Sequence, residues 1–347
     1  METKIKKTEA VKHPTEQNRT MYYGKGDVFV YRTFASPLEN IQPIPESSFE
    51  GRSNIIFAMD IQIALKGEAF FSSFSEGDNS KVIATDSMKN FILRHAGSYE
   101  GSTMEGFLEY ISARFYETYS HIDGIVVSAV QKLFNEVDIG NESGIRKSPL
   151  VFDEKERELP VASLETERST EKDYTIASRQ SGVKDLHLIK VKGSSFQGYI
   201  KDEYTTLPET TDRPLFIYLD INWIYNDRRD YLNSYVSSEQ VAGIARTLFH
   251  ELNSPSIQSL IYYIGLRVLE RFPQLAEVSF ESNNRTWELI VDETSSDEGR
   301  VFTDPDRPSD FRGFRSDSPI WKNIINPINK TISLHRRSID RRFFLVP

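Results

Sequence analysis

A lysine set between two glycines is the first feature of this chain that could do chemistry: Tyr23-Gly24-Lys25-Gly26-Asp27 stands at the mouth of a β-branched, aromatic run. The glycines permit close backbone approach, and a lysine disfavoured in its charged form by burial can act as a base. An exposed turn lysine fits the same residues. Thr85-Asp86 opens a helical pattern, where a threonine hydroxyl relays a proton if a lysine accepts it, although N-capping explains the pair equally well. In the second half, Phe196 offers a ring face to a flat molecule and Arg213 a planar fork to a flat anion, or a partner to Asp212 or Glu209. Gln258 in a first helical turn and Asn283-Asn284 between two strands complete the set. Each is ambiguous alone.

What is missing narrows the chemistry. The 347 residues contain no cysteine, and the six histidines (His13, His95, His121, His187, His250, His335) include no pair at three- or four-residue spacing. No Gly-x-Gly-x-x-Gly, Gly-Lys-Ser/Thr loop, His-Glu-x-x-His or Gly-x-Ser-x-Gly occurs. Metal centres, thiol chemistry, nucleotide cofactors and serine hydrolysis lose support accordingly. With 51 acidic against 42 basic residues the net charge is -9, which disfavours nucleic acid. No apolar run reaches the roughly 18 residues of a membrane span. The leader Met1 to Thr20 lacks an apolar signal region, so a cytoplasmic location is expected.

The elements that must position these residues repeat in order. Strand patterns at Asp27–Phe34 and Ser53–Lys66 precede two helical patterns, one carrying Met88, Phe91 and Ile92, the other opened by a Ser102/Glu105 capping box. Strand character returns at Ile122–Phe134 and Leu150–Phe152. The second half begins with a strand pair, Leu159–Arg168 and Val183–Val191, then Arg213–Tyr225 with strict alternation. Ser237 with Gln240 caps one helix and Ser254 with Pro255 another, before strands at Leu275–Glu281 and Thr286–Val291. An α+β chain with two ββααββ units is expected: leader 1–20, first unit 21–158, second unit 159–293 and tail 294–347. The tail's Arg336, Arg337, Arg341 and Arg342 before Phe343-Phe344-Leu345 suggest docking on a neighbouring subunit.

Read in order, Tyr23-Gly24-Lys25, Gly77-Asp78-Asn79-Ser80, Ala84 to Asn90, Asp202 to Leu207, Asp212-Arg213, Ser256-Ile257-Gln258 and Asn283-Asn284-Arg285-Thr286-Trp287 resemble the urate oxidase family, in its bacillus-type form. The resemblance covers about Met21 to Val291 and rests on ordered co-occurrence. It implies two tandem T-fold domains, antiparallel sheets with helices on the outer face that assemble into a tunnel-shaped barrel. It also implies a homotetramer with sites between subunits, and oxidation of urate by O2 to 5-hydroxyisourate and hydrogen peroxide without metal or cofactor.

The same resemblance assigns roles. Arg213 and Gln258 would grip the urate anion, Phe196 would stack on it, the Ile257 N–H would donate to a ring heteroatom, and Asn283 would hold the O2 or water site. Lys25 and Thr85 of a neighbouring subunit would form the proton relay, with the Asp86 backbone on substrate. In fungal and animal members a histidine stands two residues after this asparagine; here it is Arg285, which cannot shuttle protons near neutral pH. A pterin-binding T-fold protein, or a purine-binding module without catalysis, is the competing expectation.

Overall fold

The computed structural model describes residues 21–142, 144–170, 173–227, 229–285, 288–295, 299–303 and 330–335. Its elements, in chain order, are β1 (Tyr22–Thr33), β2 (Ile56–Lys66), α1 (Phe71–Glu76), α2 (Thr85–Ala96), α3 (Met104–Thr118), β3 (Gly124–Asn141), β4 (Gly144–Lys155), β5 (Leu159–Arg168) and β6 (Tyr174–Lys190). Then come β7 (Leu215–Tyr225), α4 (Asp230–Asn233), α5 (Ser238–Glu251), α6 (Ile257–Arg271), β8 (Leu275–Arg285), β9 (Glu288–Val291), β10 (Val301–Thr303) and β11 (Lys330–His335). The leader and the Arg336 to Leu345 segment lie outside the described residues.

Alternation decides the sheet. Along β7 the side chains of Leu215, Ile217, Leu219, Ile221 and Trp223 are buried, while Phe216, Tyr218, Asp220 and Asn222 between them are half-exposed. Successive residues of a strand point to opposite faces, so one face must be covered and the other can remain polar. The pairings are antiparallel in the order β1-β2-β3-β5-β6-β7-β8-β11, with β4 folded back on β3. All the larger helices pack on the apolar face: α2 on β1, α3 on β3 and β5, α5 on β6, and α6 on β8. The sheet is open, with β1 and β11 as its ends.

Two cores follow. One joins β1, β2, β3 and β5 to α2 and α3 through residues such as Ile61, Leu65, Met88 and Phe115. The other joins β6, β7 and β8 to α5 and α6 through Leu219, Trp223, Ile244, Ile264 and Phe280. Complete burial of each large apolar side chain contributes about 1.5–3 kcal/mol. Leu159–Arg168 was expected to open the second repeat. It does pair with β6, but it also pairs with β3, and its Ala162 and Leu164 belong to the first core. The second difference is at the far end: Glu288–Val291 pairs with β10, and Lys330–His335, within the expected tail, takes the place beside β8.

The connection between β1 and β2 straps the repeats together. The Gln240 Nε2 group donates to the Gln42 carbonyl at 2.6 Å, and the Glu46 carboxylate accepts from Arg267 and Arg271, each at 2.9 Å. Gly243 lies so close under this strap that a Cβ there would come within 2.5 Å of the Glu46 carbonyl oxygen. Arg52 adds a forked contact to Glu239, with nitrogen to oxygen distances of 2.7–2.9 Å, and donates to Gln131. Glu105, expected in a capping box, instead turns inward and accepts from Ser181 Oγ at 2.9 Å, while Thr103 caps α3.

Candidate active site

Lys25 owes its setting to two backbone features. Gly24 lies so close to β2 that a Cβ would fall 1.9 Å from the Ile63 carbonyl oxygen. Just beyond, Lys25 pairs with Ile63 and Val28 with Ile61, so Gly26 and Asp27 bulge opposite a single residue, with Asp27 at φ +54°. Such a bulge bends the strand and re-aims its side chains. The Tyr23 hydroxyl ties β1 to the entry of α2, donating to the Ile83 carbonyl at 3.2 Å and accepting from its N–H at 2.7 Å. Burial pushes that phenol above its ordinary pKa.

Thr85 and Asp86 are the first two residues of α2, whose N-cap is Ala84. The capping role available to Thr85 in the sequence is therefore not taken. Its side chain is exposed, and the Asp86 carboxylate meets Lys89 at 2.6 Å and Asn90 at 3.0 Å. The hydrogen bond from Lys89 does most to hold the Asp86 carboxyl below its usual range, and the Lys25 ammonium adds to it. Lys25, Thr85 and Asp86 thus form one group at the β1 end of the sheet.

The second group is built by a loop tied to a helix end. Ser194 bridges Ser254, Ser195 N–H donates to the Ser254 carbonyl at 3.2 Å, and Arg213 N–H donates to the Ser194 carbonyl at 2.9 Å. Phe196 and Thr210 exchange backbone hydrogen bonds across the loop, and the Asp212 carboxylate accepts from Gly193 N–H at 2.5 Å. Asp212 therefore braces the loop and does not neutralise Arg213. The Arg213 guanidinium stands 5.5 Å from the Phe196 ring centre, and Phe196 is stacked on Tyr199 at 4.8 Å. Among the described residues, the buried Arg213 Nε has no hydrogen-bond partner. Burial lowers its pKa, yet an arginine stays charged at neutral pH.

Ser254, expected to cap α6, is the inward anchor of this loop; the cap is Ser256, which accepts from Ser259 N–H at 3.1 Å. Ile257 and Gln258 consequently occupy the first two helical positions. Their N–H groups have no intrahelical acceptor, and the helix dipole there favours an anion. Ile257 is buried and Gln258 exposed. Asn283 stands on β8 opposite Tyr218, which is five residues on in sequence from Arg213. The loop thus sets a charged fork beside an aromatic face and ties them, through Ser254, to the free backbone donors that open α6.

The two groups do not meet within one chain. From β1 to β7 there are five strand steps, about 24 Å at ordinary strand spacing. The Ser194–Ser254 tie, which sets the Phe196–Arg213 group, is absent from the sequence reading, because a contact over that separation has no local signature.

The family model for uricase matches residues 21–161 and 179–310. This chain belongs to the uricase family. The uricase of Haloferax volcanii is 50% identical over 303 residues, covering 86% of this chain and 98% of that one. The uric acid degradation bifunctional protein PucL of Bacillus subtilis is 49% identical over 307 residues, and this chain covers 62% of its length. Among solved structures, the urate oxidase of Bacillus sp. TB-90 has a TM-score of 0.83 at 44% identity, covering 91% of this chain and 99% of that one. A uricase from Bacillus fastidious has a TM-score of 0.84 at 45% identity, covering 95% and 100%. This α+β uricase fold, an antiparallel sheet with helices on one face, is of the T-fold class.

Proposed function

We propose that this chain oxidises urate with O2 and water to 5-hydroxyisourate and hydrogen peroxide. The observation that carries the reading is the buried Nε of Arg213, without a hydrogen-bond partner among the described residues, on a guanidinium over Phe196 in a loop tied to Ser254 just before α6 of a uricase-family chain. Arg213 and Gln258 hold the flat anion, Phe196 stacks on it, and the Ile257 N–H donates to the ring. Asn283 holds O2 or water on one face. The substrate anion is electron-rich and supplies both electrons to O2, whose two oxygens leave as peroxide once two protons are added. Binding, orientation and proton transfer are left to the protein. Thr85 relays a proton to Lys25, and the Asp86 backbone contacts substrate; no metal or organic cofactor takes part.

These relay residues come from a second copy. Support lies in the five strand steps that separate the half-sites and in the exposed aromatics Tyr22, Phe29, Tyr31 and Phe34 along edge strand β1. A homotetramer in which two-fold related chains complete each other's sites satisfies both. Among the described residues no helix is long and apolar enough to cross a membrane, and we place the enzyme in the cytoplasm.

The test is purified protein with urate in air-saturated buffer containing chelator, following urate absorbance and peroxide. Absence of turnover defeats the reading. Lys25→Ala and Thr85→Ala should lower kcat by about 10²–10⁴ with little change in the binding of a purine analogue. Arg213→Ala should mainly weaken binding, and the reverse pattern refutes the assigned roles.

A further inference from the structure

A bulge in β6 decides which face of the sheet a histidine occupies. Val183 pairs with Ile221 and Leu186 with Leu219, so Lys184 and Asp185 together oppose Asp220. In an unbroken strand His187 would share the apolar face with Val183. The extra residue resets the alternation, buries Leu186 and brings His187 out on the helix-free face. Asp185 holds the bulge at φ +64°, where a side chain is strained and glycine is not. Its N–H donates to Asp220 Oδ1 at 2.7 Å, and its own Oδ1 lies 2.5 Å from His187 Nε2.

Register then makes a row across three strands. His187 stands opposite Tyr218, and Tyr218 opposite Asn283. The His187 and Tyr218 rings are 3.9 Å apart between centres and nearly perpendicular, with Phe216 packed on Tyr218 at 4.9 Å. Directly opposed residues hold their Cβ atoms about 5 Å apart, so Tyr218 is a nearest cross-strand neighbour of Asn283. Contacts run from Asp220 through Asp185 and His187 to Tyr218, and register sets Tyr218 against Asn283, the amide assigned to the oxygen side of the site.

We infer that Asp185, His187 and Tyr218 are positioning residues that fix the Asn283 amide for O2. This rests on the proposed urate oxidation and on the place of Asn283 within it. The row touches neither Arg213 nor Phe196 by its register, so its loss should be felt at the oxygen side and not in the grip on the purine ring.

The experiment begins with wild-type turnover of urate; its absence defeats the parent reading before any variant is made. For His187→Leu and Asp185→Gly, KM for O2 at saturating urate is measured together with the dissociation constant of xanthine, a flat purine without the 8-oxo group, and with Tm. KM for O2 should rise about tenfold in both while xanthine affinity stays within about twofold. Asp185→Gly relieves the left-handed backbone, so it should melt no lower than wild type, which separates its defect from unfolding. Wild-type KM for O2 in both variants overturns the inference. So does a loss of xanthine affinity in step with the loss at O2.

Discussion

If each site is assembled from the β1 end of one chain and the β7–β8 end of another, two dead enzymes can rescue each other by a fixed amount. Take Lys25→Ala, crippled in the first half-site, and Arg213→Ala, crippled in the second. Mixed at equal amounts with free exchange, an intact site needs its first half from an Arg213→Ala chain and its second from a Lys25→Ala chain. Each choice has a probability of about one half, so about one site in four is wild type. Activity should therefore recover to roughly a quarter of wild type, far above either variant alone. The assay is urate turnover of protein co-expressed with two different tags, with mixed assemblies demonstrated by capture on one tag and detection of the other. Five strand steps cannot be bridged inside one chain by rotamer changes. Residual activity that stays at the sum of the parents, in assemblies shown to be mixed, refutes the shared site.

Two further substitutions probe the scaffold. Gly24→Ala places a Cβ against the Ile63 carbonyl oxygen and the Ala64 Cα, both backbone atoms that cannot swing away. It should cost about 1–3 kcal/mol in Tm measurements and lower kcat by roughly 10²-fold as Lys25 is displaced. Gly26→Ala is the control, since its nearest neighbour is a Gln62 side-chain atom at 3.8 Å. Equal effects of the two would refute the close-approach account. Glu105→Gln addresses the buried carboxylate, whose pKa burial raises despite the Ser181 bond and the nearby Arg52 and Arg179. A raised folded pKa means that the native state loses stability as pH climbs from the unfolded carboxylate range to the folded value. The glutamine variant lacks that loss, so its Tm should match wild type in acid and exceed it by about 2–4 °C at neutral pH. A Tm that matches wild type in acid and falls below it at neutral pH would show that the ionised form is net stabilising.

Local patterns carried far in this sequence. Alternation through Leu215 to Trp223 marked β7, and Ser237 with Gln240 marked the start of α5, because a strand face and a helix cap are decided by neighbours in sequence. The candidate site residues stood out as well, as unusual types at element ends, while their roles rest on the proposal. Partner choice was not. Leu159–Arg168 reads as a strand, but its pairing with β3 depends on contacts more than 30 residues away. Ser254-Pro255 looks like a helix start, and only the bridge to Ser194 shows why the cap falls to Ser256. Glu105 has capping-box spacing, and the pull of Ser181 from β6 outweighs it. Bulges at Asp27 and Asp185 likewise depend on register, although the Gly24 and Gly26 pair gave a hint of the first.

The β1–β2 strap and the β6–β7 loop occupy the same place in their respective repeats, yet they have diverged into different trades. The first, residues 34–55, locks Glu46 and Gln42 onto the helices of the other repeat. The second, residues 191–214, sets Arg213 over Phe196, the pair proposed to take the ligand. With the architecture repeated, one connection holds the chain together while its counterpart is left free to differ with the substrate proposed for it. Variation in the strap should be read in melting curves, and variation in the loop in substrate range.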